Sequence, residues 1–114
     1  MIHIQHCTID HLVDCSEIFR EVYSDALLYE QWTVERSFEY LSRIYHFDPE
    51  SCHIAEADHM VIGAIFGYTF PWSSGTDLFI QELFVKAAYR GQGIRESLIT
   101  HVLEQINEDT DVIL

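Results

Sequence analysis

Residues 86–96 read Lys-Ala-Ala-Tyr-Arg-Gly-Gln-Gly-Ile-Arg-Glu. Three of the six basic residues, Lys86, Arg90 and Arg95, fall inside this stretch, and no acid lies between Leu83 and Glu96. An apolar pattern with helical spacing starts at Ile94. A strand that leads through a glycine turn into a helix leaves unbonded N–H groups at the helix start, where the helix dipole adds partial positive charge. Phosphate is the usual occupant of such a site. Gly91 and Gly93 allow close approach of backbone to ligand and positive φ where the turn needs it. No Gly-Lys-Ser/Thr follows, so the Walker pattern is absent. A dinucleotide fingerprint would need a third glycine where Glu96 stands. The stretch therefore reads as a basic turn for a polyphosphate of another kind, with nucleotide binding as a weaker alternative.

Other reactive side chains are scattered. His3, His6, Cys7 and His11 fit no zinc spacing, and strand alternation followed by a helix separates them, so no metal is expected. Cys52 has no His–acid pattern beyond its neighbour His53 and reads as core rather than nucleophile. Cys7, Cys15 and Cys52 are odd in number and spread apart, which predicts reduced thiols and a cytoplasmic setting. No export signal is visible at the N-terminus, and no apolar run approaches the roughly 20 residues a membrane helix needs.

The balance of 19 acids to 6 bases gives a formal charge of −13. Such a surface repels nucleic acid and anionic membranes and favours a cationic small molecule, although solubility alone also accounts for it. At 114 residues and 48% apolar content the chain suits one globular domain spanning 1–114.

The positioning elements follow from periodicity. Ile2 and Ile4 alternate as a short strand. Thr8 or Asp10 caps a helix facing inward with Leu12, Cys15, Phe19 and Val22. Thr33 caps a second, with Val34, Phe38, Leu41 and Ile44 or Tyr45 inward, ended by Asp48-Pro49. Residues 51–57 and 60–70 form a hairpin about Asp58-His59. Residues 71–75 make a turn-rich connector, and residues 77–85 are the next strand. The helix after the glycine turn carries Ile94, Leu98, His101-Val102 and Gln105-Ile106, and residues 111–114 start a last strand. Hairpins and a strand–helix–strand crossover together predict a mixed, mostly antiparallel sheet flanked by helices, in the order β-α-α-β-β-β-α-β.

Residues 83–99, Leu-Phe-Val-Lys-Ala-Ala-Tyr-Arg-Gly-Gln-Gly-Ile-Arg-Glu-Ser-Leu-Ile, resemble the acetyl-CoA-binding segment of the GNAT superfamily of N-acetyltransferases. Arg90, Gly93 and Ile94 match that segment, and Val61–Phe70 with Gly63 resembles the family's third strand. The resemblance implies an α/β (α+β) GNAT-like fold that lacks the family's last helix and strands. It implies acetyl-CoA as co-substrate, with the pyrophosphate on the turn formed by Arg90, Gly91, Gln92, Gly93, Ile94 and Arg95, and the pantetheine arm along the main chain of Leu83, Phe84 and Val85. Arg95 departs from the family, which has Gly or Ala there; it would either pair with phosphate or narrow the site.

The implied reaction is attack of an amine on the acetyl thioester, which needs a group to take the amine's proton. Glu82 is the candidate base, on the strand face opposite Gln81 and Leu83 by alternation. An N–H near Phe84 or Val85 would steady the oxyanion. Tyr29, Glu30 and Trp32 lie in the loop that walls the family's acceptor site, with Gln81 beside it; an aromatic pair with an acid suits a cation. The expected function is transfer of acetyl to a primary amine of a small cationic substrate. The alternative is a non-catalytic acyl-CoA-binding or dimerising module. An apolar last strand predicts a homodimer.

Overall fold

The computed structural model describes residues 1–24, 31–106 and 110–113. Tyr29 and Glu30 lie outside the described residues. The strands are β1 (Ile2–His6), β2 (His53–Ala57), β3 (Met60–Trp72), β4 (Gly75–Val85) and β5 (Thr110–Ile113); the helices are α1 (Leu12–Tyr23), α2 (Val34–Phe47) and α3 (Ile94–Glu104). One five-stranded sheet runs β1-β2-β3-β4-β5. Its first three pairings are antiparallel and the last, across the α3 crossover, is parallel. The predicted element order and mixed sheet are what the chain adopts.

Helices cover both faces. Leu12, Cys15, Phe19 and Leu41 pack with Phe66 and Phe84 on one side. Ile62, Ile65, Leu78 and Leu83 pack with Ile94, Leu98 and Val102 on the other. Each fully buried Phe or Leu contributes about 1.5–3 kcal/mol before chain entropy is charged. Thr33 caps α2 by accepting the Arg36 N–H at 3.1 Å. The inward stripe of α2 is Ser37, Leu41 and Ile44. Phe38, expected inside, is 37% exposed. The helix is rotated because Ser37 can be buried cheaply: its hydroxyl donates to the Thr33 carbonyl at 2.7 Å.

Asp58 and His59 both take positive φ, 51° and 65°, in the two-residue turn between β2 and β3. The second turn differs from expectation. Residues 71–72 are strand, not connector, and only Ser73 and Ser74 turn the chain. Pro71 fits because Thr69, two residues earlier, points its N–H away from β4 to Asp48 Oδ2 at 3.0 Å. The same alternation puts the Pro71 nitrogen on the free edge, where no ladder bond is lost.

Cys7, Cys15 and Cys52 are buried free thiols. The hydrogen bond with Cys7, followed by burial, raises Cys15 well above the usual thiol range. Burial pushes Cys52 up to about 12, which removes it as a nucleophile. His53, fully buried, meets His101 of α3 at 2.8 Å between Nδ1 atoms and stacks 4.3 Å from His6. Among the described residues no His, Cys, Asp and Glu groups are arranged to hold a metal, and no helix is long and apolar enough to cross a membrane.

Candidate active site

The site is built around β4, whose two halves have different neighbours. Thr76–Phe79 pair with Thr110–Ile113 of β5. Among the described residues none pairs with residues 80–85 on that side, the open edge of β4. The Lys86 N–H bonds Ile62 O at 2.8 Å. By alternation, Phe84 turns its own N–H and C=O toward β3, while Leu83 and Val85 turn theirs to the open edge. Leu83 and Val85 thus direct main-chain groups to that edge, and Phe84 directs its own to β3.

Next to this edge lies a cleft of about 330 Å³ lined by Val85, Tyr89, Arg90, Gly91, Gly93, Ile94, Arg95 and Glu96. Gln92 is not among the lining residues. Gly93 is the N-cap of α3 with φ +75° and, being glycine, brings no side-chain cap of its own. A Cβ at Gly93 would meet nothing within 4 Å, so the glycine serves the left-handed turn rather than a crowded contact. Arg95 reaches back to β4. Its Nη1 donates to Leu83 O at 3.1 Å, and Arg90 Nε donates to Val85 O at 3.4 Å. Both carbonyls of the open edge are thus held by the cleft's own guanidiniums.

The opposite face of β4 carries the acid. Residues 66 and 67 of β3 face Glu82 and Ile80, which leaves Gln81 as an extra residue in a bulge. Simple alternation placed Gln81 with Leu83. The bulge instead brings Gln81 to the side of Glu82, and both bond the hydroxyl of Tyr40 on α2. Tyr40 donates to Glu82 Oε2 at 2.7 Å, and Gln81 Nε2 donates to the Tyr40 oxygen at 3.1 Å. Gly67 permits this geometry: a Cβ there would lie 2.5 Å from Phe79 O.

Tyr40 is the residue that sequence reasoning missed. Burial, then the bond to Glu82, pushes its phenol up to about 12 against the opposing effect of Gln81. It therefore stays a donor and holds the carboxylate in place. Trp32 packs edge-on against Phe19 at 4.9 Å and tilted against Tyr40 at 5.4 Å. It also lines a cleft with Arg36, Glu39, Tyr40 and Arg43. A half-buried carboxylate and a fixed phenol thus lie together on the half of β4 next to the glycine turn.

A comparison with curated protein sequences finds no match. Solved structures do match. The chain superposes over 100% of its length on 80% of a possible acetyltransferase from Clostridium difficile 630, at TM-score 0.75 and 15% identity. It likewise covers 79% of the ribosomal-protein-alanine N-acetyltransferase from Brucella melitensis biovar Abortus 2308, at 0.74 and 16% over 100% of this chain. For the diaminobutyrate acetyltransferase from Paenibacillus lautus, in complex with its substrate and coenzyme A, 90% of this chain covers 57% of that one, at 0.67 and 17%. These similarities establish a shared fold, and the sequence pattern goes further: residues 13–112 match the model of the acetyltransferase (GNAT) family, to which this chain belongs.

Proposed function

We propose that the chain is an N-acetyltransferase that moves acetyl from acetyl-CoA to a primary amine of a small cationic substrate. Acetyl-CoA-dependent acyl transfer is the chemistry of its family. The observation that carries the reading is the conjunction on β4: an open edge beside a helix start whose N-cap is glycine, with Glu82 on the adjoining face. The turn's amides from Gly93 onward, with Arg90, would hold the diphosphate. Leu83 and Val85 would take the pantetheine arm as an added strand once the two arginines release their carbonyls.

The amine nitrogen then attacks the thioester carbon while its proton passes to Glu82, directly or through one water. The N–H of Val85, on the open edge, would steady the oxyanion. Collapse breaks the C–S bond, forms the amide and releases coenzyme A thiolate, which takes a proton from solvent. Trp32, Gln81, Tyr29 and Glu30 remain our assignments for the acceptor's surroundings, within a domain spanning 1–114.

A second reading, a non-catalytic acyl-CoA-binding module, draws support from the contacts of Arg90 and Arg95 with the edge carbonyls. Thiol release from acetyl-CoA across a panel of amines separates the two. Turnover that drops on the order of 100-fold in Glu82→Gln, with coenzyme binding kept, is the transferase outcome. Coenzyme binding without turnover on any amine is the module outcome. We further propose a homodimer, because Val112 and Ile113 on edge strand β5 are 37% and 40% exposed; a monomer by sedimentation contradicts it. The unpaired buried thiols suit a reducing, cytoplasmic compartment, and the acidic surface disfavours nucleic acid and membranes as partners.

A further inference from the structure

Glu82 ends a directional series of hydrogen bonds that starts at Tyr68 of β3. An ionised carboxylate only accepts, so the one proton of the Tyr40 hydroxyl goes to Glu82 Oε2, at 2.7 Å. The Tyr40 oxygen must then accept, and Gln81 Nε2 donates to it at 3.1 Å. That turns the other end of the amide to Tyr68, whose hydroxyl donates to Gln81 Oε1 at 3.3 Å. Every donor in the series points toward the acid. Reversing it would need the amide to turn over, because its NH₂ group cannot accept.

The rings that carry the two hydroxyls are clamped. Tyr40 lies 5.6 Å from the buried Phe19 ring and 5.4 Å from Trp32. Tyr68 stacks on Phe79 at 5.6 Å and meets Phe47 edge-on at 5.4 Å. Gln81 reaches the series through the β4 bulge, which turns its amide to the face of Glu82. The carboxylate is thus tied to α2, β3 and β4 at once. The series is poorly suited to moving protons. A side-chain amide has no acidic proton near neutral pH, and burial, then the Glu82 bond, pushes the Tyr40 phenol up to about 12.

We propose that Tyr40, Gln81 and Tyr68 are positioning residues that hold Glu82 in the orientation of a base and carry no proton to or from it. A bond donated to a charged oxygen is strong, and a working base must stay within roughly 0.5 Å of its place. This rests on the transferase reading, since it gives Glu82 a proton to accept.

The test uses the full chain with acetyl-CoA and whichever amine of the panel turns over fastest. Tyr40→Phe should lower kcat roughly tenfold and leave both KM values within about twofold. In the Glu82→Gln background the same substitution should change kcat by less than about twofold, because it acts only through the carboxylate. Tyr68→Phe, further along the series, should lower kcat about two- to threefold, and not at all once Tyr40→Phe is present. Imidazole or formate added to Tyr40→Phe should restore no activity. Equal losses in both backgrounds overturn the proposal, since a general disturbance of the fold would give them. So does a raised amine KM at full kcat, which would make the phenol a substrate contact. Rescue by imidazole or formate overturns it too, by making the phenol a proton carrier. Wild type that turns over amines beside a fully active Tyr40→Phe sinks the brace alone. Wild type that turns over no amine sinks the transferase reading, and the role of the brace falls with it.

Discussion

The two halves of β4 make the sharpest contrast in the molecule. From Thr76 to Phe79 the strand has partners on both sides, β3 and β5. From Ile80 to Val85 its only strand partner among the described residues is β3, and Arg90 and Arg95 bond carbonyls on the other side. The Gln81 bulge sits at the junction. A bulge bends and twists its strand, and this one gathers the acid, amide and phenol on one face. An unpaired edge inside a sheet is normally a hazard, and here it is guarded by charge.

The largest expected effect comes from the turn that serves the open half. Gly93→Asp places a carboxylate at the α3 N-terminus, where it repels a diphosphate at the cost of a side chain in a left-handed turn. Coenzyme A should stabilise the native protein against heat by mass action, and the variant should lose that shift while keeping its own melting temperature within a few degrees. An unchanged shift would mean that the diphosphate binds elsewhere.

Deleting Gln81 attacks the contrast directly. It leaves a regular ladder with Glu82 and Leu83 still on their own faces, but removes the bend. Coenzyme affinity should fall about tenfold with little change in circular dichroism; full affinity in the deletion would show that the bend has no part in coenzyme binding.

Arg95→Ala has a smaller effect with the opposite sign. Freeing the Leu83 carbonyl removes a competing bond of about 1 kcal/mol, so coenzyme should bind roughly fivefold tighter. Weaker binding would instead assign the guanidinium to the phosphates.

The smallest effect concerns the sheet's far side. Burial, then the like charges of His6 and His101, lowers His53 to about 4, against the raising effect of the Glu50 carbonyl. The folded state thus resists protonation that the unfolded chain accepts at about 6.5. Stability from His53 is complete above that value and declines as pH falls toward 4. The melting temperature should drop across this window, and less so in His53→Gln; equal slopes would assign the decline to other groups.

Much of the fold was legible because its signals are local. Ile2 and Ile4, the stripe of α1, the Thr33 cap, and Ile94-Leu98-Val102 each state their element within a few residues; Thr8 instead caps a short 3-10 turn before α1, whose own N-cap is His11. The glycine turn was legible for the same reason, since its amides and bases are contiguous. What escaped depends on partners distant in sequence. Nothing near Gln81 announces a bulge, because it exists only in register with Gly67. Nothing around Tyr40 in the sequence marks it out, because its contact with Glu82 lies 42 positions away. Phe38 was placed inside because apolar character outweighed a serine able to satisfy its own hydroxyl. Pro71 read as a breaker until its nitrogen met an edge that needs no donor. The direction of Arg95 turned on a carbonyl twelve positions earlier.

Cys7, Cys15 and Cys52 have a practical consequence. With all three thiols sealed in the interior and Cys15 and Cys52 held protonated, an alkylating reagent can reach them only when the chain opens. Their rate of modification is therefore a native clock for unfolding, requiring no added dye or tag. Slowing of that clock by an acyl donor would measure, in one cuvette, how strongly the empty half of β4 is filled.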